Sequence, residues 1–338
     1  MNNQLVLDKG TILTDKLITK LDLYGIFTVY VQDSVPLASE YSFAPKNPSY
    51  SQRIKNAPEF QQFKKEYENI VDSLQDIVSN VVEHNLQLDV SVLLKHTLKV
   101  LGICKGSIGI LDMLQNMREY DDSTFAHCIN VALVCNILAG WLKWSPRQIE
   151  LATACGLLHD IGKLNIPHNI ISKPGKLSTE EFAIIQKHPR SGYELLLLQN
   201  VDKHICNAAL MHHERCDGSG YPGKLKAFQI DDYAQLVAIV DVYDAMTAAR
   251  VYRGPLCPFR VIEIFEADGF EKYNVEYLLV FLENVVNTYI QNRCLLSDGR
   301  AGDIIYINKD HLSRPIVQCG TEYINLAERS DLSIASLL

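Results

Sequence analysis

Thiolate clusters, membrane-length apolar runs and a basic surplus are all missing from this 338-residue chain, and each gap removes a class of protein. The nine cysteines are odd in number and scattered, and no two stand as Cys-x-x-Cys. That excludes a thiolate zinc or iron–sulfur site and a disulfide framework, and it suits buried, reduced thiols in a cytosol. A net charge of -8 offers no basic stripe for a nucleic acid polymer, so any anionic ligand must be held locally. No apolar run approaches the roughly 18 residues of a spanning helix. The best stretch, Val131 to Leu142, is short and carries Asn136, and Met1-Asn2-Asn3-Gln4 opens a polar N-terminus without a secretory signal. No membrane partner is expected. Long repeats and low-complexity tracts are also missing. What is present is a chain 47% apolar and long enough for two domains, which supports a globular core without metals or disulfides.

The pattern along the chain changes three times. Within residues 1–58, Ile26-Phe27-Thr28-Val29-Tyr30-Val31 follows Gly25 and reads as a strand, and the proline-containing stretch from Tyr41 to Pro58 reads as a linker. Over residues 59–90, Phe60, Phe63, Tyr67, Ile70, Leu74, Ile77 and Val81 step by three and four, the mark of an amphipathic helix. Such a helix can lie on its own domain or form a homodimer seam through residues 60–81. From 91 to 293 helical signals dominate. Ser145-Pro146-Arg147-Gln148 starts a helix whose last turn holds His159-Asp160 and which Gly162 can stop. Ser178-Thr179-Glu180-Glu181 starts another that carries His188 and bends or breaks at Pro189, and a third, near Tyr233 to Ala249, carries Asp241. After residue 294 short strand-like runs alternate with Gly, Asp and Asn, giving a small β appendage over 294–338. The expected fold class is mainly α, with a small α/β or β N-terminal region and this C-terminal appendage.

Five of the ten histidines, His127, His159, His188, His212 and His213, fall near expected helix ends, and Asp160 and Asp241 supply matching carboxylates. A lone histidine on an apolar helix is more often a hydrogen-bonded core residue than a ligand. Seven such side chains together exceed what one ion needs. Imidazole and carboxylate donors suit Fe, Mn, Co or Zn. Two ions close together need a shared ligand, and Asp160, with two oxygens, is the candidate bridge.

The order His159-Asp160, Gly162-Lys163, His188-Pro189, His212-His213-Glu214, Asp217-Gly218-x-Gly220-Tyr221-Pro222 and Asp241 resembles the HD-GYP family of the HD phosphohydrolase superfamily, over roughly Asp121 to Arg253. The resemblance implies an all-helical catalytic domain over 91–293 that holds two divalent ions. Iron or manganese leads, with zinc, cobalt or nickel as alternatives. His127, His159, Asp160 and Asp241 would hold one ion, and Asp160, His188, His212 and His213 the other. Lys163, Asp121, Tyr221, Arg250 and Arg253 would meet the substrate, and Glu214 would support the ligand histidines. Ser123 occupies the position where some members place a glutamate for a third ion, so two ions are expected. The implied reaction is hydrolysis of cyclic di-GMP to linear pGpG, and slowly on to GMP, by hydroxide generated between the ions in the cytoplasm. A hybrid cyclic dinucleotide such as cyclic GMP-AMP as substrate, or a weakly catalytic cyclic-dinucleotide sensor, are the alternatives.

Overall fold

The computed structural model of the protein describes residues 54–84, 86–104, 106–117, 123–173, 175–248 and 255–338, which all fall in one unit, Asn47–Leu338. The expected strand at Ile26–Val31 and the substrate residues Asp121, Arg250 and Arg253 lie outside the described residues.

The expected amphipathic helix is α1, Pro58–His84. Its stripe of Phe60, Phe63, Tyr67, Ile70, Leu74 and Val81 is buried together with Val71 and Val78, while Ile77 sits at the margin. The stripe faces α2 (Val90–Leu101), α3 (Gly106–Met117) and α4 (Thr124–Trp141) of the same chain. Its burial is therefore accounted for within one chain, so this stripe does not support the homodimer seam. Each such aromatic or aliphatic side chain contributes about 1.5–3 kcal/mol when removed from water. Tyr67 also places its hydroxyl, deep in this interface, on the Ala126 carbonyl at 3.0 Å and on Asn130 Oδ1 at 2.7 Å, which ties α1 to the first turns of α4.

Helix α4 corrects the expectation that no apolar run is long enough to span a membrane. Its 18 residues have a mean hydropathy of 1.4 and meet that test by length and composition, with 72% of them buried inside the fold. The run is longer than the sequence suggested because His127, Asn130 and Asn136 interrupt it yet leave its mean at 1.4. Both flanks of α4 are packed, so it is a core helix. Ser123 caps it, accepting from the Ala126 amide at 3.1 Å.

Helix α5 (Pro146–Leu158) begins as expected: Gln148 Oε1 accepts from the Ser145 amide at 3.0 Å. It ends at Leu158, so His159-Asp160 stands just beyond the last turn. A 3₁₀ turn, Ile161–Asn165, follows. Gly162 does not act as a helix stop, because a Cβ there would lie 2.5 Å from Gly192 N and closer still to the His188 carbonyl oxygen. The residue is glycine because two backbone segments touch.

After a short α6 (His168–Ile171), α7 (Thr179–Ile185) opens with the expected capping box, Ser178 with Glu181. His188 is not carried on that helix. It opens a separate one, α8 (His188–Leu198), whose Pro189 needs no amide partner in the first turn. Helices α9 (Lys203–Met211) and α10 (Asp232–Thr247) complete the core around α4 and α5. Beyond them come α11 (Pro258–Ile264), a π-helical turn at Phe265–Gly269, the one-turn α12 (Phe270–Lys272) and α13 (Val275–Asn287).

The appendage is a five-stranded antiparallel sheet ordered β4-β3-β2-β1-β5, formed by Arg293–Leu296, Ala301–Tyr306, Ile316–Cys319, Glu322–Asn325 and Ile334–Leu337 as β1 to β5. Cys294, Leu296, Ile304, Val317, Ile324 and Ile334 form its buried face. Glu266 anchors it to the helices, accepting from the Leu312 amide at 2.6 Å.

Candidate metal centre

Five chain segments deliver the seven predicted ligands to one place. His127 lies in the first turn of α4, His159-Asp160 at the end of α5, His188 at the start of α8, His212-His213 just after α9, and Asp241 midway along α10. The Gly162–Gly192 contact brings the second and third of these together. Two overlapping clusters result: His127, His159 and Asp160, and Asp160, His188, His212 and His213. Asp160 belongs to both.

The distances define the centre. Asp160 Oδ1 lies 3.2 Å from His188 Nε2 and 3.6 Å from His212 Nε2, while Oδ2 lies 3.5 Å from His159 Nε2 and 3.8 Å from His127 Nε2. Asp241 Oδ1 is 3.0 Å from His127 Nε2 and 3.8 Å from His159 Nε2, and its Oδ2 is 3.9 Å from His213 Nδ1. Lys163, one turn after Asp160, pairs its ammonium with Asp160 Oδ2.

Proton positions follow from the neighbours. His159 Nδ1 faces the Gly156 carbonyl at 2.7 Å, His188 Nδ1 the Ile185 carbonyl at 2.7 Å, and His212 Nδ1 the Ala208 carbonyl at 3.0 Å. A carbonyl only accepts, so each Nδ1 carries a proton and each ring turns its Nε2 to the centre, where it can offer a lone pair. His188 Nε2 and His212 Nε2 then face each other at 3.2 Å, both toward Asp160. His159 Nε2 and Asp160 Oδ1 are buried with no hydrogen-bond partner among the described residues. Lone pairs converging on a buried carboxylate repel unless a cation lies among them. The residues present therefore fit divalent ions of the imidazole- and carboxylate-preferring kind.

Charge states agree with this. Burial lowers His159 to about 4 and also lowers His188, against the pull of Asp160. Burial and the His212 ring hold His213 well below its ordinary range. Burial opposes ionisation of Asp160 and Asp241, but Lys163 and the imidazoles beside Asp160, and His127 beside Asp241, outweigh it and hold both carboxyls well below the usual carboxylate range. His127 is the exception among the rings. Burial works against its proton, yet hydrogen bonds to Asp241 and Asp244 prevail and raise it to about 9.

The Gly-Tyr-Pro loop forms one wall. Gly218 takes φ +79°, and at Gly220 a Cβ would lie 2.5 Å from Arg215 N, so neither position admits a larger residue without strain. Tyr221 stacks on His213 with ring centroids 4.7 Å apart and 27° between planes, half-buried at the rim. Glu214 departs from its expected contact. Its buried carboxylate accepts from the amides of Gly223 and Leu225, the latter at 2.9 Å, and so pins the loop instead of bonding the ligand imidazoles. The reason is direction: His212 and His213 already face inward, while Glu214 turns toward the returning strand of the loop.

Sequence reasoning missed Asp244. It is buried, and its Oδ2 lies 2.8 Å from His127 Nδ1. The available signal was the Asp241-x-x-Asp244 spacing, which puts two carboxylates on one face of a helix.

The chain belongs to the HD domain family, whose model matches residues 80–273, more than half of its length. The His-Asp and Gly-Tyr-Pro motifs behind the HD-GYP resemblance lie inside that span. It is 39% identical over 141 residues to a cyclic di-GMP phosphodiesterase of Pseudomonas aeruginosa, covering 41% of this chain and 34% of the relative. It is 40% identical over 141 residues to a 3'3'-cGAMP-specific phosphodiesterase of Vibrio cholerae, covering 42% and 33%. A cyclic di-GMP phosphodiesterase of Thermotoga maritima is 34% identical over 186 residues, covering 53% and 50%. The chain thus spans a third to a half of the length of these relatives. Among solved structures, Bd1817, a HDG"Y"P protein from Bdellovibrio bacteriovorus, shares the fold with a TM-score of 0.50 at 17% identity, covering 72% of this chain and 74% of that one.

Proposed function

We propose that this protein is a metal-dependent phosphodiesterase that opens cyclic di-GMP to linear 5'-pGpG in the cytoplasm, with slower passage to GMP. The carrying observation is the convergence of His127, His159, Asp160, His188, His212, His213 and Asp241 around buried lone pairs that only cations can reconcile. Two divalent ions, iron or manganese first and zinc, cobalt or nickel as other fits, would be held as His127, His159, Asp160 and Asp241 on one side and Asp160, His188, His212 and His213 on the other. When bound, they supply Lewis acidity that lowers the pKa of water and offsets charge on the phosphoryl group.

The chain's own groups do the rest. Lys163, with its ammonium at the rim of Asp160, places a positive charge where a non-bridging phosphate oxygen would lie. Tyr221, braced on His213, offers a face to a guanine base or a hydroxyl to a phosphate. Glu214 holds the loop that carries it. Ser123 is engaged in capping α4, which leaves no carboxylate at that position for a third ion. The nine free cysteines support a reducing compartment. Relatives named for cyclic di-GMP and for 3'3'-cGAMP match at 39% and 40% identity, which supports the cyclic dinucleotide class and leaves the bases to an assay.

Manganese- or iron-loaded protein is expected to convert cyclic di-GMP to a linear product by chromatography, with kcat/KM compared across cyclic di-GMP, cyclic GMP-AMP and linear pGpG. His159→Ala and Asp160→Ala are each expected to abolish turnover. Absence of product from a metal-replete sample refutes the reading.

A further inference from the structure

Three of the centre's imidazoles give their Nδ1 proton to a peptide carbonyl, as described above. His127 differs. Its Nδ1 meets the carboxylate of Asp244 at 2.8 Å while its Nε2 meets Asp241 at 3.0 Å. Both carboxylates come from α10, one turn apart, so a single helix grips both nitrogens of one ring. Asp244 is 2% exposed, and water does not dilute the contact.

We propose that Asp244 is a positioning residue of the metal centre that fixes His127 with its proton on Nδ1 and makes the ion position on the His127 side the tighter of the two. This rests on the two-ion reading given under the proposed function. A carboxylate behind a ligand imidazole orients the ring and raises the basicity of the coordinating nitrogen more than a carbonyl does. The formal charges point the same way. The His127 side has Asp160 and Asp241 in direct reach with Asp244 behind them. The His188 side has the shared Asp160 and only the far oxygen of Asp241, 3.9 Å from His213 Nδ1; the Lys163 ammonium, on Asp160 Oδ2, offsets one charge of the His127 side and still leaves that side the more negative. Ion loading is therefore ordered: the His127 position fills first.

The test is an anaerobic titration of metal-free full-length protein with Mn(II), following free Mn(II) by electron paramagnetic resonance. Wild type is expected to show two affinity classes. Asp244→Asn should weaken the tighter class by about 10–100-fold and leave the weaker class unchanged. Because Asp244 acts through His127, Asp244→Asn should cause no further weakening in a His127→Ala background. Unchanged tight binding in Asp244→Asn, or equal weakening in both backgrounds, overturns the proposal. A readout that needs no Asp244 variant is the ¹H–¹⁵N spectrum of the zinc-loaded wild-type protein. A proton on His127 Nδ1, assigned by its loss in His127→Ala, supports the assignment, and coordination through Nδ1 overturns it. Both measurements report on metal and proton, so a protein that binds Mn(II) in this order yet leaves cyclic dinucleotides intact would sink the phosphodiesterase reading alone.

Discussion

Gly162→Ala isolates the contact that assembles the centre. The added Cβ would lie 2.5 Å from Gly192 N, 2.9 Å from Gly192 Cα and closer still to the His188 carbonyl oxygen, where real Cβ contacts keep at least 3.0 Å. All three partners are backbone, so no side chain can swing away. The turn carrying Asp160 and Lys163 must part from the start of α8, which carries His188. Overpacking of this kind costs about 1–3 kcal/mol, which lowers Tm by roughly 2–12 °C in a domain of this size. A shift approaching 1 Å between Asp160 and His188 is also expected to lower kcat by up to about 100-fold. Gly140, helical with nothing within 4 Å of its would-be Cβ, is the matched control. Gly140→Ala should stabilise by about 0.5–1 kcal/mol and leave activity unchanged. Differential scanning calorimetry and steady-state kinetics on the two variants decide the matter. If Gly162→Ala melts and turns over like Gly140→Ala, the segment contact does not organise the site.

Glu214→Gln removes the charge that pins the Gly-Tyr-Pro loop, a loss of about 1–2 kcal/mol, so KM for the dinucleotide should rise roughly 5–30-fold while bound metal per chain stays constant. Loss of metal at unchanged KM would instead return Glu214 to the imidazoles. The metal-free protein should be most stable near pH 6.5. Below 6.5 the unfolded chain takes up protons that folded His159, lowered to about 4, and the also-lowered His188 and His213 refuse, whereas from 6.5 to about 9 folded His127 keeps a proton that the unfolded chain has released, so its contribution declines across that window and is gone above about 9. Thermal melts of chelator-treated protein from pH 4 to 10 check it, and a stability that stays level or rises between pH 6.5 and 9 would contradict it.

Much of the centre was legible because its ligands sit in local patterns. Capping boxes at Ser145 and Ser178, the paired His212-His213 and the glycine-punctuated loop before Pro222 each declare a helix end or a turn within a few residues. The strand signals after residue 294 were equally local, and the sheet follows them. What escaped the sequence is what depends on a partner from elsewhere in the chain. Gly162 reads as a helix stop until Gly192 is seen against it. Glu214 reads as a histidine's neighbour until the loop returns to it. Asp244 goes unnoticed on its helix until His127, 117 positions earlier, is found on its carboxylate. Pro189 marked a break correctly, but only the packing of α8 shows that His188 begins the new helix instead of ending the old one.

Since Asp160 is reached by imidazoles from four separate segments, no partly folded chain can reproduce its surroundings. Ions that bind there recognise only the finished molecule, and by mass action they draw the folding equilibrium toward it, by about 2.7 kcal/mol when free metal stands at 100 times its Kd. On the two-ion reading proposed above, a carboxylate shared between the ions would make the cell's supply of transition metal a determinant of how long each copy of this protein survives.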